Sequence, residues 1–378
     1  MRKSIPVGGR LVIKVGSSSL ASTRGVIDDS AVERVVASIV ETHTNGYPTV
    51  FVTSGAVAAG MGVLNLDRRP TDLAALQVAA AVGQGRLMER YSAAFARRGL
   101  IAGQVLLTKD VLSSREQYLN ARSALDRMLV QRIVPVVNEN DAVGVEELRF
   151  GDNDRLAAIV SHLIGAALLL ILTDTPGLFS SDPRLGEAEL LGAVRHTDQV
   201  LDRLTGNIGP LGSGGAATKV AAARIAAWSG VPTVVASSET EGVVARVLAG
   251  EDEGTWVEPR TERLPSRKLW IAFGQPSAGV LVADDGAVEA LVHGSRSLLP
   301  VGITRISGSF AAGAAVEIHD RRGQLIGKGL SRLDSISLTD LLGKRSDTEA
   351  IHRDDLVILV HGSVEAGEPA PRRLPADA

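Results

Sequence analysis

From about residue 10 to residue 260 the chain alternates short apolar runs with longer stretches in which apolar positions return every three or four residues. Apolar runs bounded by turn formers predict strands, and the longer period predicts helices laid over them. The predicted strands are 10–15, 49–53, 101–107, 133–138, 168–173 and 232–236. Several are apolar at every position, as strands covered on both faces are. Between them, 29–44, 72–98, 114–131, 154–165, 216–230 and 241–249 predict helices by their spacing and by the capping residues at their starts. The alternation predicts an α/β unit, an αβα sandwich around a mainly parallel sheet.

The polar stretch EPRTERLPSR, residues 258–267, carries two prolines and breaks this rhythm, so a linker is placed at 261–267 between a first domain, 1–260, and a second, 268–363. The second is richer in short strands, with turn signals at Asp284-Asp285-Gly286 and at Asp320-Arg321-Arg322-Gly323. Residues 364–378, rich in Pro and Ala, read as a disordered tail.

Composition narrows the chemistry. With aromatics at 3% of 378 residues, a base-stacking platform for nucleic acid is not expected, and a formal net charge of -3 draws in no polyanion, so any phosphate site must be local. The absence of cysteine removes disulfides, thiolate nucleophiles and Cys-based zinc sites. The N-terminus MRKSIPVGGR has no apolar core of a signal peptide, so the cytoplasm is the expected location. Of the 40 basic residues only seven are Lys, so a Lys in an apolar or Gly-rich setting is a candidate for a specific role.

In parallel sheets ligands bind beyond the carboxyl ends of the strands. Neither a GxxxxGK[ST] nor a GxGxxG sequence is present, so a nucleotide would have to be held in another way. Lys14 lies inside the apolar run LVIKVGSSSL, followed by a Gly-Ser-Ser-Ser turn able to cradle phosphate oxygens; the alternative is an edge-strand Lys reaching to solvent. In GPLGSGGAATKVAAARIAA, Gly212, Gly214 and Gly215 precede a helix carrying Lys219 near its start, an arrangement suited to an anion, or else an ordinary flexible loop. Asn138-Glu139-Asn140-Asp141 and Gly151-Asp152-Asn153-Asp154 supply acid and amide groups that could equally be turn formers and caps. Together with Thr53-Ser54 and Thr173-Asp174 they would line one sheet edge. Two lysines and a metal suffice for phosphoryl transfer, and a carboxylate acceptor, already ionised at neutral pH, needs no general base.

The ordered motifs VIKVGSS, VTSGAVAAG, LLT, NENDAV, FGDND, LTDTPGLFSSDPR and GSGGAATK resemble those of the glutamate 5-kinases in the amino acid kinase superfamily. AGVLVADDGAVEAL and GSRSLLPVGI resemble the PUA domain appended to many bacterial members. The resemblance implies that the chain phosphorylates the γ-carboxylate of L-glutamate with ATP and Mg2+. Lys14 would contact the ATP phosphates, and Thr173 and Asp174 would line the nucleotide site. Ser213, Gly214, Gly215, Ala216, Ala217, Thr218 and Lys219 would form the ATP loop, with Lys219 on the moving phosphoryl group. Ser54, Asp141 and Asn153 would bind glutamate, and Asp154 would hold the two lysines in place. Feedback inhibition by proline, hand-over of the acyl phosphate to glutamate-5-semialdehyde dehydrogenase and a homo-oligomer are further implications.

Two other readings are weighed against this one. A relative acting on aspartate or N-acetylglutamate is the first; Asp141 could pair with the ammonium of a free amino acid, which favours glutamate over its N-acetyl form. The second is RNA binding through the PUA-like segment. Residues 267–363 carry 11 basic and 11 acidic side chains and only Trp270, Phe273 and Phe310 as aromatics, which speaks against it.

Overall fold

The computed structural model describes residues 2–20, 27–108, 114–143, 153–184, 186–206, 215–261, 263–275, 277–294, 296–344, 346–359 and 372–373. The chain divides into two compact units, Met1–Arg263 with Pro371–Ala378, and Leu264–Ala370. The expected disordered tail, 364–378, falls outside the described residues except for Arg372–Arg373, which pair antiparallel beside a strand of the first unit.

The strands of the first unit are β1 (Leu11–Val15), β2 (Thr49–Val52), β3 (Ile101–Leu107), β4 (Ile133–Glu139), β5 (Leu168–Thr173), β6 (Leu191–Arg195), β7 (Thr233–Ser237) and β8 (Thr255–Glu258). They form one sheet in the order β6-β8-β7-β5-β1-β2-β4-β3, parallel from β7 through β3, with β8 antiparallel to β7. The helices are α1 (Asp29–Thr44), α2 (Ala56–Val63), α3 (Leu73–Ala96), α4 (Arg115–Val130), α5 (Asp154–Ile164), α6 (Gln199–Gly206), α7 (Gly215–Trp228) and α8 (Val243–Ala249). Side-chain acceptors at their starts set several of them: Asp28 accepts from Ser30 N, Asp72 from Ala75 N and Ser114 from Gln117 N. Gly165, at φ 60°, ends α5 in the left-handed conformation.

Because side chains alternate across a strand, β1 sends Leu11, Ile13 and Val15 to the core shared with α1, α3 and α8, and Val12 and Lys14 to the other face. On that other face α5 packs over β1 and β5 and against α7. Lys14 is therefore the last side chain of β1 beneath the start of α5. β1 lies between β5 and β2, where the chain order reverses, the place at which open α/β sheets bind ligands.

The sequence pattern did not predict α2. Its residues AVAAGMGV include two glycines in eight positions, which lower the local helix propensity, and the helix is held by close packing against α3. A Cβ on Gly83 would sit 1.8 Å from the Ala56 carbonyl oxygen, and one on Gly60 would sit 1.8 Å from that of Ala79. The glycines of this motif thus serve backbone-to-backbone contact between two helices as well as the turn at Gly55, whose φ is 105°.

The second unit has β9 (Gly279–Ala283), β10 (Ile303–Ser307), β11 (Ala315–His319), β12 (Leu325–Ser331) and β13 (Ile351–Ile358) in the order β10-β9-β11-β12-β13. Its helices are α9 (Ser266–Leu269), α10 (Asp285–Gly294) and α11 (Ser335–Asp340). Asp284-Asp285-Gly286, read above as a turn, opens α10: Asp284 Oδ1 accepts from Ala287 N at 2.7 Å and caps the helix. The turn at 320–323 joins β11 to β12, with Asp320 Oδ1 accepting from the backbone of Arg322 and Gln324.

Candidate functional site

The carboxyl ends of β1, β2, β4 and β5 carry the candidate groups. Lys14 is 1% exposed in the middle of the sheet, which rules out the edge-strand reading. Its ammonium lies 2.6 Å from Oδ1 of Asp154, a carboxylate with no exposed surface in the first turn of α5. Lys219 reaches the same carboxylate from α7, with Nζ 3.4 Å from Oδ2 and 3.2 Å from the Gly215 carbonyl. Thr218 donates to Oδ2 at 2.9 Å. Asp154 at the start of α5 also complements the helix dipole. Among the described residues, two ammonium groups share this one carboxylate, at the point where the Gly16–Ser19 turn leaves β1.

Beside the cluster, Asn153 donates to the Thr53 carbonyl and to Asn138 Oδ1. Asn138 Oδ1 also accepts from Glu139 N at 2.9 Å, and its Nδ2 donates to Gln84 Oε1 at 2.7 Å. The Thr53 hydroxyl lies 2.7 Å from the Tyr91 hydroxyl and donates to the Ser54 carbonyl at 3.1 Å, so Tyr91 is the donor of that pair. Complete burial pushes the Tyr91 hydroxyl well above the ordinary phenol range, which keeps it a donor. The Ser54 hydroxyl is buried and has no hydrogen-bond partner among the described residues. Buried hydroxyls are ordinarily paired, so its geometry suits a group supplied from outside.

Asp141 is half-buried on the turn that follows β4. Thr173 is buried at the end of β5, and its hydroxyl donates to Asp174 Oδ1 at 2.9 Å. Ala216 and Ala217 lie in the first turn of α7, which already begins at Gly215, one residue earlier than the pattern predicted. Ser213 and Gly214 fall outside the described residues. Lys14, Asp154, Thr218 and Lys219 thus meet in one cluster, and Ser54 and Asn153 stand beside it. Gln84 and Tyr91 escaped the sequence reading; the signal was two polar residues seven apart on the buried stripe of an apolar helix.

The amino acid kinase family model matches residues 9–237 and the PUA domain model matches residues 279–352. With the sheet and site above, this places the chain in the amino acid kinase family, carrying a PUA domain. Among curated relatives, the glutamate 5-kinase of Frankia casuarinae is 45% identical over 375 residues, covering 95% of this chain and 99% of that protein. The glutamate 5-kinase of Streptomyces coelicolor is 43% identical, covering 95% and 98%. Within the amino acid kinases, then, the chain belongs to the glutamate 5-kinase family. Of solved structures, UMP kinase from Bacillus anthracis aligns with a TM-score of 0.46 at 16% identity, over 67% of this chain and 97% of that one, too loosely to bear on function.

Proposed function

We propose that the chain transfers the γ-phosphoryl group of ATP to the side-chain carboxylate of L-glutamate, giving L-glutamyl 5-phosphate, the first step of proline biosynthesis. The observation that carries this reading is the meeting of Lys14 and Lys219, from β1 and α7, on the buried carboxylate of Asp154. In the reaction a glutamate carboxylate oxygen forms a bond to the γ-phosphorus as the bond to the ADP oxygen breaks. The acceptor is already ionised, so no proton need be removed. The protein's task is to position two anions and stabilise charge on the moving group.

In this reading Lys14 and Lys219 bear on the transferring phosphoryl oxygens and Asp154, helped by Thr218, fixes their spacing. Residues 213–217 offer backbone N–H groups to the phosphates, and Thr173 and Asp174 line the nucleotide. Ser54 and Asn153 hold glutamate, with Asp141 pairing its ammonium. Among the described residues no group of three or more His, Asp or Glu side chains is gathered for a metal. Mg2+ would arrive with ATP and would supply charge neutralisation on its phosphates. A cytoplasmic homo-oligomer, inhibited by proline and passing its product to glutamate-5-semialdehyde dehydrogenase, completes the proposal on family likeness. No helix among the described residues is long and apolar enough to cross a membrane.

The test is trapping of the acyl phosphate. Purified protein with Mg-ATP and hydroxylamine should yield a hydroxamate from glutamate; hydroxamate from aspartate or N-acetylglutamate alone would overturn the assignment.

A further inference from the structure

The buried side of α3 is apolar at Leu76, Ala79 and Ala80, which pack on α2, and at Leu87, Ala94 and Phe95, which join the sheet core, yet it also turns Gln84 and Tyr91 toward the strand ends. Seven residues apart, the two share one helix face. Gln84 ends a chain of amides whose direction is fixed by two backbone groups. The Glu139 N–H can only donate, and it donates to Asn138 Oδ1; the Thr53 carbonyl can only accept, and it accepts from Asn153 Nδ2. Asn138 therefore turns its Nδ2 to Gln84, which must present Oε1, while its Oδ1 takes the other proton of the Asn153 amide. Both amide protons of Asn153 are then spent on the protein. Its carbonyl oxygen, an acceptor, is what it offers a ligand, and that suits an ammonium group and repels a carboxylate.

We propose that Gln84 is a positioning residue for the amino-acid acceptor: by receiving the Asn138 amide it holds Asn153 with its carbonyl oxygen toward the substrate ammonium. Without that acceptor the Asn138 donor is orphaned, and flipping the amide would not satisfy it, because its N–H groups would then face the donors Glu139 N and Asn153 Nδ2. The proposal rests on glutamate being the acceptor.

Gln84→Leu removes the acceptor and Gln84→Glu keeps it. Steady-state kinetics of Gln84→Leu should show the KM for glutamate raised roughly five- to a hundredfold, the range an orphaned buried donor produces, with the KM for ATP within about twofold of the parent. Gln84→Glu should return the glutamate KM to within about threefold of the parent, which a loss of packing alone would not predict. Should Gln84→Leu lower the melting temperature, Gln84→Met, closer in shape, takes its place with the same expectation. An unchanged glutamate KM in the truncated variant, or an equal defect in Gln84→Glu, overturns the proposal. A parent that makes no glutamyl hydroxamate instead overturns the assigned reaction, so the two failures are told apart before any variant is compared.

Discussion

Replacing Asp154 with Asn would leave two buried ammonium groups facing a neutral amide. Lys14, at 2.6 Å, and Lys219, at 3.4 Å, would each lose a partner at a position where the exposures are 1% and 8%. With an effective dielectric constant of about 20, these separations correspond to gross attractions of about 6 and about 5 kcal/mol. Desolvation of the three groups and repulsion between the lysines consume most of that. Removing one member of a buried ion pair costs about 3–5 kcal/mol net, because the remaining charge stays uncompensated. For a unit of this size each kcal/mol moves the melting temperature by about 2–4 °C, so ligand-free Asp154→Asn should melt about 6–20 °C below the parent. Calorimetry on the two purified proteins reads this directly, and Mg-ATP should narrow the gap, since its phosphates supply the missing negative charge. A variant melting within about 2 °C of the parent would mean that Asp154 is not the counter-ion of this cluster.

Lys14→Ala and Lys219→Ala should each lower kcat by at least about a hundredfold, with circular dichroism unchanged, because both groups act on charge that develops in the transition state. Parental turnover in either variant would remove that lysine from the mechanism. Two glycines on α3 should respond with opposite signs. Gly83→Ala forces a methyl against the Ala56 carbonyl and should lose about 1–3 kcal/mol in urea titration, whereas Gly85→Ala, with nothing within 4 Å, should gain about 0.5–1 kcal/mol from helix propensity. Burial, with help from Arg122 and Arg263, holds His162 down to about 4. The unfolded chain therefore takes up a proton between pH 6.5 and pH 4 that the folded protein refuses, so stability falls as pH drops through that window, by about 3 kcal/mol. His162→Gln, which keeps a hydrogen-bonding partner for Tyr118 but does not titrate, should flatten that slope relative to the parent.

The strands that carry the site were legible because β1, β2, β4 and β5 are buried on both faces and so are mostly apolar, with polar side chains only near their ends. The short strands β6 and β8 and the helix α6 were not, since LGAVR, TWVE and QVLDRLTG are too brief for a period to emerge. α2 was missed for a different reason: its glycines lower local propensity but allow the contact with α3 that stabilises it. Within the site, Lys14 and Lys219 stood out by type and setting. That Asp154 joins them is a tertiary fact, set by the parity of β1 and the packing of α5 on α7, although the family resemblance anticipated it. Gln84 and Tyr91 were hidden because their partners, Asn138 and Thr53, lie on other elements.

A crystal structure with a non-hydrolysable ATP analogue and glutamate would bear most directly on the shared site of Lys14 and Lys219. Both ammonium groups should lie within hydrogen-bonding distance of the β- or γ-phosphate oxygens, with a glutamate side-chain oxygen in line with the γ-phosphorus on the side of Ser54 and Asn153. A nucleotide bound elsewhere, with the two lysines still closed on Asp154 and no phosphate near them, would contradict the account.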